Sequence, residues 1–213
     1  MKDFNKYSSS RQIFIKNNKV IKFYPKIYGY IFHEIFRILF QIFNGVYKID
    51  FVSRKKRILN EIYGRKILDK FKVQCTKITY LSTKDYFLEE IIENGAISIY
   101  DAEKIDVDLA SKYAKKVGEI TRRLNDKNYY FIDNRASNWL IGDNIIRTDL
   151  ELFRYSDSYK SFYAKCDYLS FLSSIKKEEV KRSFIEGYGM EIKYHLFTEF
   201  LVKLYVSIAE FLF

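Results

Sequence analysis

Three polar residues stand out by type and spacing. Asp133, Asn138 and Asp149 all fall inside YYFIDNRASNWLIGDNIIRTDLELF, Tyr129 to Phe153, between apolar runs of β character. Singly, an Asp or an Asn in a loop is a turn former. Together they offer an amide oxygen and a carboxylate, the hard ligands that Mg²⁺ takes, and a second carboxylate that can receive a proton from an attacking hydroxyl. The chemistry open to such a set is phosphoryl transfer. That reaction asks a protein for a cation on the phosphates, a group that holds the cation, metal ligands, and a carboxylate beside the nucleophile. Lys22 and Glu61 are candidates for the first two roles, so five residues run in the order Lys22, Glu61, Asp133, Asn138, Asp149.

These residues act together only if the chain folds them to one place. RQIFIKNNKVIKFYP reads as a hairpin, because two apolar, β-branched runs flank Asn17-Asn18, which tolerate positive φ; Lys22 then sits in the second strand. Residues 28–46 predict a strongly apolar helix with one polar stripe. Residues 51–71 predict a second helix capped near Ser53, with Ile58, Ile62 and Ile67 or Leu68 at helical spacing and Glu61 on the same general side. KITYLS and DYFLEEII predict two strands around the turn Ser82 to Asp85. Helices are predicted from Asp106 to Leu124, over 165–174, over 177–188 and over 195–213. WLI and NIIRT predict two short antiparallel strands around Gly142-Asp143-Asn144, which would bring Asn138 and Asp149 to the same end. The class is therefore α+β, with a small β-rich half over residues 1–92 ahead of a mainly helical half over 93–213, joined near Glu89 to Glu93.

Composition narrows the setting. With 213 residues and 48% hydrophobic content the chain can bury a large core. One proline and eight glycines leave no linker tract, so the halves must be joined tightly. The formal charge of +10 favours anionic partners, whether nucleotide, nucleic acid or an anionic membrane face. Nucleic acid is not favoured, since the basic runs sit at helical positions without exposed aromatics between them. Cys75 and Cys166 lie far apart with no CxxC and no neighbouring His, which argues against zinc and for a reducing compartment. The first residues contain no apolar signal-like run, so the cytoplasm is the expected location. The apolar helices at 28–46 and 195–213 are expected to bury against the rest of the chain, with a partner-protein surface or a peripheral membrane contact as alternatives.

The pattern LNDKNYYFIDNRASNWLI resembles the L-H-x-x-G-I-x-H-G-D-L-T-x-S-N-x-I motif of the eukaryotic-type protein kinase superfamily. The likeness is greatest to the small atypical kinase subunit of the KEOPS complex, with the RIO kinases as relatives. VIK ending at Lys22, SRKKRILNE ending at Glu61, YFLEEI, AKCDYLSFL and FIEGYG extend it over most of residues 10–190, leaving out 26–50. The resemblance implies a bilobal protein-kinase-like fold: an N-lobe sheet with helix C at 51–71 and the inserted helix 28–46, then a helical C-lobe with an extra C-terminal helix. It implies ATP and Mg²⁺ as cofactors and an atypical serine/threonine protein kinase activity on a protein substrate.

Carried over residue by residue, the resemblance makes Asp133 the residue that orients the substrate hydroxyl and accepts its proton. Asn138 and Asp149 would ligate Mg²⁺, Lys22 would grip the α- and β-phosphates, and Glu61 would hold Lys22. Leu88 would lie beside adenine, with Glu89 and Ile91 offering hinge backbone groups. Ser8, Ser9 and Ser10 would cover the nucleotide, and Asp167 would brace the catalytic loop. The chain also departs from the pattern. Phe131-Ile132 stands for His-Gly, removing a histidine that hydrogen-bonds around the metal-binding loop. Glu151 in TDLE replaces the glycine of Asp-Phe-Gly, and serines replace the loop glycines, so weak activity is expected. Only 17 residues separate Asp149 from Asp167, with no Ala-Pro-Glu anchor, so a conventional peptide platform is not expected. Two other readings follow from these departures: a small-molecule or glycolipid kinase at a membrane face, and a nucleotide-binding pseudokinase subunit of a complex.

Overall fold

Alternation along KVIKF decides which face of the first sheet is buried. In β3 (Lys19–Phe23), Val20 and Lys22 are buried while Lys19 is exposed, the period-two pattern of a strand packed on one side. The computed structural model describes residues 6–8, 11–16, 19–24 and 53–211. The helix expected at 28–46, and with it Ser9 and Ser10, lies outside the described residues. β3 is central in an antiparallel sheet of order β1-β2-β3-β6-β5, in which β1 is Lys6–Ser8, β2 Arg11–Lys16, β5 Lys77–Ser82 and β6 Phe87–Ile91. The register sets Lys22 opposite Leu88 and Val20 opposite Glu90. All four side chains therefore share the inner face.

Helix α1 (Arg54–Lys70) packs on that face. Ser53 starts it, its Oγ accepting the Lys56 N–H at 3.3 Å and so satisfying one of the donors that a helix start leaves unpaired. Ile58 joins Tyr24 and Leu88 in a small cluster of its own, while Ile67 and Leu68, further along, belong to the large core. One helix thus touches both hydrophobic units.

The second half begins with β7 (Ile97–Ser98), α2 (Ile99–Ile105) and α3 (Val107–Asn125), and it closes with α4 (Lys160–Ser173), α5 (Glu178–Tyr188) and α6 (Leu196–Phe211). Between them lies a small sheet of order β4-β10-β9-β7, with β4 at Gln74–Cys75, β9 at Trp139–Ile141 and β10 at Ile145–Arg147. β4 joins it parallel to β10 and ties the segment after α1 to the strand that leads to Asp149. β8 (Tyr129–Tyr130) pairs with β11 (Arg154–Tyr155). Helices α3 and α5 pack backbone to backbone: a Cβ added at Gly187 would lie 1.9 Å from Lys115 O, and one at Gly118 would lie 2.3 Å from Phe184 O.

Sequence periodicity missed α2 and the two-residue strands, because elements that short carry no period. It also placed the start of α4 at residue 165, whereas the helix begins at Lys160, directly after Tyr159 at φ 56°. No helix among the described residues is long and apolar enough to cross a membrane. The architecture is α+β and bilobal: among the described residues, a small antiparallel sheet with one helix lies ahead of a mainly helical half.

Candidate active site

Four charged side chains meet between β3, α1 and β6. Lys22 Nζ lies 2.6 Å from Glu90 Oε1 and 3.7 Å from Glu61 Oε1. Arg65, one turn beyond Glu61, pairs with Glu61 Oε2 and reaches Glu90 Oε2 at 2.6 Å. Thr76 Oγ1 donates to Glu90 Oε2 at 2.7 Å, and Tyr24 OH donates to Glu61 Oε1 at 3.4 Å. Two cations and two carboxylates sum to zero, which lets the set stay buried: unpaired charges there would cost several kcal/mol each, about 3–5 on loss of one partner. Burial disfavours the Arg65 cation, but Glu61 and Glu90 more than offset it and raise its pKa. The sequence reading gave Lys22 to Glu61 alone; Glu90 is its nearer partner. The signal was present, since the alternation that turns Leu88 inward also turns Glu90 inward, and Arg65 stands four residues from Glu61 on the same helix face.

The loop that carries Asp133 is pinned from beneath by α4. Asp167 accepts Phe131 N–H at 3.1 Å, Ile132 N–H at 2.6 Å and Asn125 Nδ2 at 2.9 Å. Ser170 Oγ accepts Asn134 N–H at 2.9 Å, and Ser174 Oγ accepts Ala136 N–H at 2.8 Å. Ile132 is held at φ 67°, a left-handed conformation that a β-branched residue disfavours. The residue next to it is Asp133. Both its carboxylate oxygens accept from Arg135, Nε at 2.7 Å and Nη2 at 2.8 Å. Asn138 closes the loop, its Nδ2 donating to Asp133 O at 3.2 Å, which leaves Oδ1 as its ligand-capable atom.

Asp149 arrives from the neighbouring strand. The β9–β10 pair sets Arg147 opposite Trp139, and Thr148 N–H donates to Asn138 O at 3.0 Å, so Asn138 and Asp149 lie at one end of the same hairpin. Arg147 Nη2 donates to Asp133 O at 2.6 Å and to Asp149 O at 3.0 Å. Its guanidinium lies over the rings of Phe131 and Trp139, 4.5 and 5.0 Å from their centroids. Burial pushes Arg147 down to about 10, against the pull of Asp149 and Asp133. Arg147 thus joins the loop that carries Asp133 to the segment that carries Asp149. Glu151 is buried just beyond, and its carbonyl accepts Asn60 Nδ2 of α1 at 2.8 Å. Helix α1 therefore positions both Glu61 and the segment after Asp149.

Helix α6 reaches this region from the end of the chain. Val202 and Val206 lie in the large core that also contains Phe131, Ala136 and Trp139, and Tyr205 packs against it. Burial raises the Tyr205 phenol well above its ordinary value, and Asp133 raises it further. Neither this tyrosine nor Arg135 and Arg147 figure in the sequence reading, because nothing in local periodicity shows what a distant helix or a strand arginine will face.

The other predicted residues fall in different places. Leu88 is fully buried in the small cluster with Tyr24 and Ile58, so it lines the lobe's core, and Glu90 is the last inward-facing residue of β6. Glu89 points away from the charge cluster and binds Lys19 at 3.0 Å and Thr79 Oγ1 at 2.6 Å. Ile91 is exposed at the end of β6. Ser8 ends β1 opposite Arg11 of β2. Among the described residues no three His, Cys, Asp or Glu side chains gather into a metal cage. A cation here would rest on Asp149 and Asn138 and on phosphate oxygens of a bound nucleotide, a division of ligands that Mg²⁺ favours.

The bilobal arrangement of a small antiparallel sheet ahead of a mainly helical half is a protein-kinase-like fold. Solved structures share it. The choline kinase LicA from Streptococcus pneumoniae superposes with a TM-score of 0.53 at 10% identity over 99% of this chain and 83% of its own. WaaP in complex with acyl carrier protein gives 0.51 at 10% identity, over 98% and 88%. The Rio2 kinase–ADP/Mg²⁺–phosphoaspartate complex from Chaetomium thermophilum gives 0.50 at 14% identity, over 98% of this chain and 65% of its own. No family model matches the sequence, and no curated protein matches it.

Proposed function

We propose that the chain is an ATP- and Mg²⁺-dependent phosphotransferase acting on a hydroxyl group. The observation that carries this reading is the gathering of Asp133, Asn138 and Asp149 at one hairpin end, through the Asn138 Nδ2 bond to Asp133 O and the Thr148 N–H bond to Asn138 O. ATP would supply the γ-phosphoryl group and leave as ADP, and Mg²⁺, held by Asn138 Oδ1 and Asp149, would offset the charge on the phosphates. Lys22 would bind the α- and β-phosphates from within its cluster. Each Asp133 oxygen can accept a further hydrogen bond beside the one from Arg135, so an acceptor hydroxyl can donate to Asp133 and leave its proton there as it attacks. Arg135 places a positive charge beside that point, where negative charge develops during transfer.

A serine or threonine of a protein is the acceptor that the KEOPS- and RIO-type motifs imply. A small-molecule or glycolipid hydroxyl is favoured by a different observation: β11 and α4 take up much of the short run after Asp149, while the partly buried Tyr205 of α6 packs against the core beside Asp133 and Arg135. This leaves little surface to dock a peptide. The test is transfer of labelled γ-phosphate by the purified chain, offered a basic protein, a set of amino-alcohols and sugars, and a glycolipid extract in turn. Asp133→Ala should lower the rate at least about a hundredfold and Asp149→Ala should abolish the Mg²⁺ requirement together with transfer. Labelling that survives both substitutions would sink the assignment. ATP binding without transfer to any acceptor class would support the pseudokinase reading instead.

A further inference from the structure

Arg147 is the most buried cation in the second half of the chain, 1% exposed, and it is poorly satisfied. Its Nη2 makes two hydrogen bonds, while Nε and Nη1 are buried with no hydrogen-bond partner. The aromatic faces of Phe131 and Trp139 offer the rest of its charge a weaker interaction. Among the described residues no carboxylate pairs with it, and Asp133 turns its own carboxylate to Arg135. For stability alone this is a poor use of a position, because an apolar side chain of similar size packs there without a buried, half-satisfied charge. What the guanidinium does supply is a single rigid atom that accepts no alternative geometry: Nη2 sits 2.6 Å from Asp133 O and 3.0 Å from Asp149 O. Those two carbonyls belong to different elements, the loop after β8 and the end of β10.

We propose that Arg147 is a positioning residue that fixes the spacing between the proton-accepting carboxylate of Asp133 and the metal-ligating carboxylate of Asp149. The proposal rests on the phosphotransferase reading for what the two carboxylates do. The aromatic pair holds the guanidinium plane, so that one nitrogen reaches both carbonyls. Asp149, at φ 22°, sits in the positive-φ region that few residues other than glycine adopt, and its carbonyl is tethered by this bond.

The experiment compares wild type with Arg147→Met and Arg147→Lys in the full chain. Three readouts are taken: the thermal midpoint, Mn²⁺ affinity in the presence of a non-hydrolysable ATP analogue, followed by electron paramagnetic resonance, and kcat and KM for ATP with whichever acceptor wild type uses. Arg147→Met should keep or raise the midpoint, weaken Mn²⁺ about tenfold or more, and lower kcat by about 10- to 100-fold, the range seen when an outer partner of a metal ligand is lost. KM for ATP should change little. Arg147→Lys, which keeps a cation able to meet two carbonyls, should recover much of the Mn²⁺ affinity and kcat. Unchanged Mn²⁺ affinity in a folded Arg147→Met variant overturns the proposal. So does a fall in midpoint shared by both variants with the other losses in proportion, since Arg147 would then be holding up the fold. If wild type binds Mn²⁺ and nucleotide but transfers nothing, the phosphotransferase reading fails, and the Mn²⁺ comparison still decides the positioning role.

Discussion

Asp167 is a single side chain that sets the backbone of the residues around Asp133. It accepts from Phe131 N–H, Ile132 N–H and Asn125 Nδ2, and without those bonds Ile132 at φ 67° would relax toward the extended or helical region, at a gain of roughly 1–2 kcal/mol. The charge on Asp167 is itself costly. Burial pushes its pKa up from 3.8 to about 7, although the three hydrogen bonds and Arg147 pull it down. Between those values the folded protein keeps a proton that the unfolded chain has lost. Asp167 therefore stabilises less as pH rises through this window, and its contribution levels off above about pH 7. Thermal midpoints of wild type and Asp167→Asn, measured across the window, should show a difference that shifts against wild type as pH rises. A constant difference would mean that Asp167 is ionised in the fold throughout. The sequence already pointed to Asp167 as a brace through AKCDYLSFL. It did not show that Ile132 would take a left-handed conformation, because hydrophobic pattern reports burial and not φ. For Glu90 the alternation of β6 did give its inward direction, but only the packing of α1 on β3 and β6 shows that it lies nearer to Lys22 than Glu61 does.

At the scale of elements, the lesson of FIEGYG lies in what its glycine allows. Helices α3 and α5 approach so closely that a methyl group on Gly187 would lie 1.9 Å from the Lys115 carbonyl oxygen, and neither backbone can yield locally. Gly187→Ala should lower the unfolding free energy by about 3 kcal/mol, at the upper end of overpacking costs, read as a shift in urea midpoint with an unchanged slope. Gly64→Ala in α1 is the informative comparison. Its added methyl would meet Leu150 and Phe153 side chains at 3.1 and 3.2 Å, which can shift by tenths of an ångström, while alanine gains about 1 kcal/mol of helix propensity over glycine. It should cost much less than Gly187→Ala, and equal costs would place the sensitivity in glycine's general role and not in the helix crossing. The long elements were legible in the sequence because each carries several turns or strand pairs of periodic pattern: β3, β5, β6, α1, α3 and α5 all lie close to the positions read from the residues. The short strands β4, β7, β8 and β11 were not, yet they join distant segments, and two of them frame the loop that carries Asp133.

For the whole molecule, the division of the core into two clusters has a functional consequence. Among the described residues Tyr24, Ile58 and Leu88 form a small unit under the sheet, and most of the other buried hydrophobics form one large unit. Among the described residues the sheet half holds the smaller apolar cluster, and it should open locally more often than the helical half. Lys22 stands opposite Leu88 of the small unit and Asp149 precedes Leu150 of the large one, so a nucleotide bound by both would link them. At a concentration of MgATP about a hundredfold above its dissociation constant, linkage adds about 2.7 kcal/mol, which for a chain of this size raises the thermal midpoint by roughly 5–10 °C. Hydrogen exchange locates the gain. Without nucleotide, amides of β3 and β6 should exchange faster than those of α3; MgATP should slow β3 and β6 most, since their opening breaks the newly bridged state. Asp149→Ala should remove the Mg²⁺-dependent part of that protection in the sheet, at a distance from the substituted residue. Protection confined to the helical half would mean that nucleotide does not reach Lys22, and the five residues read in order from the sequence would not form one site.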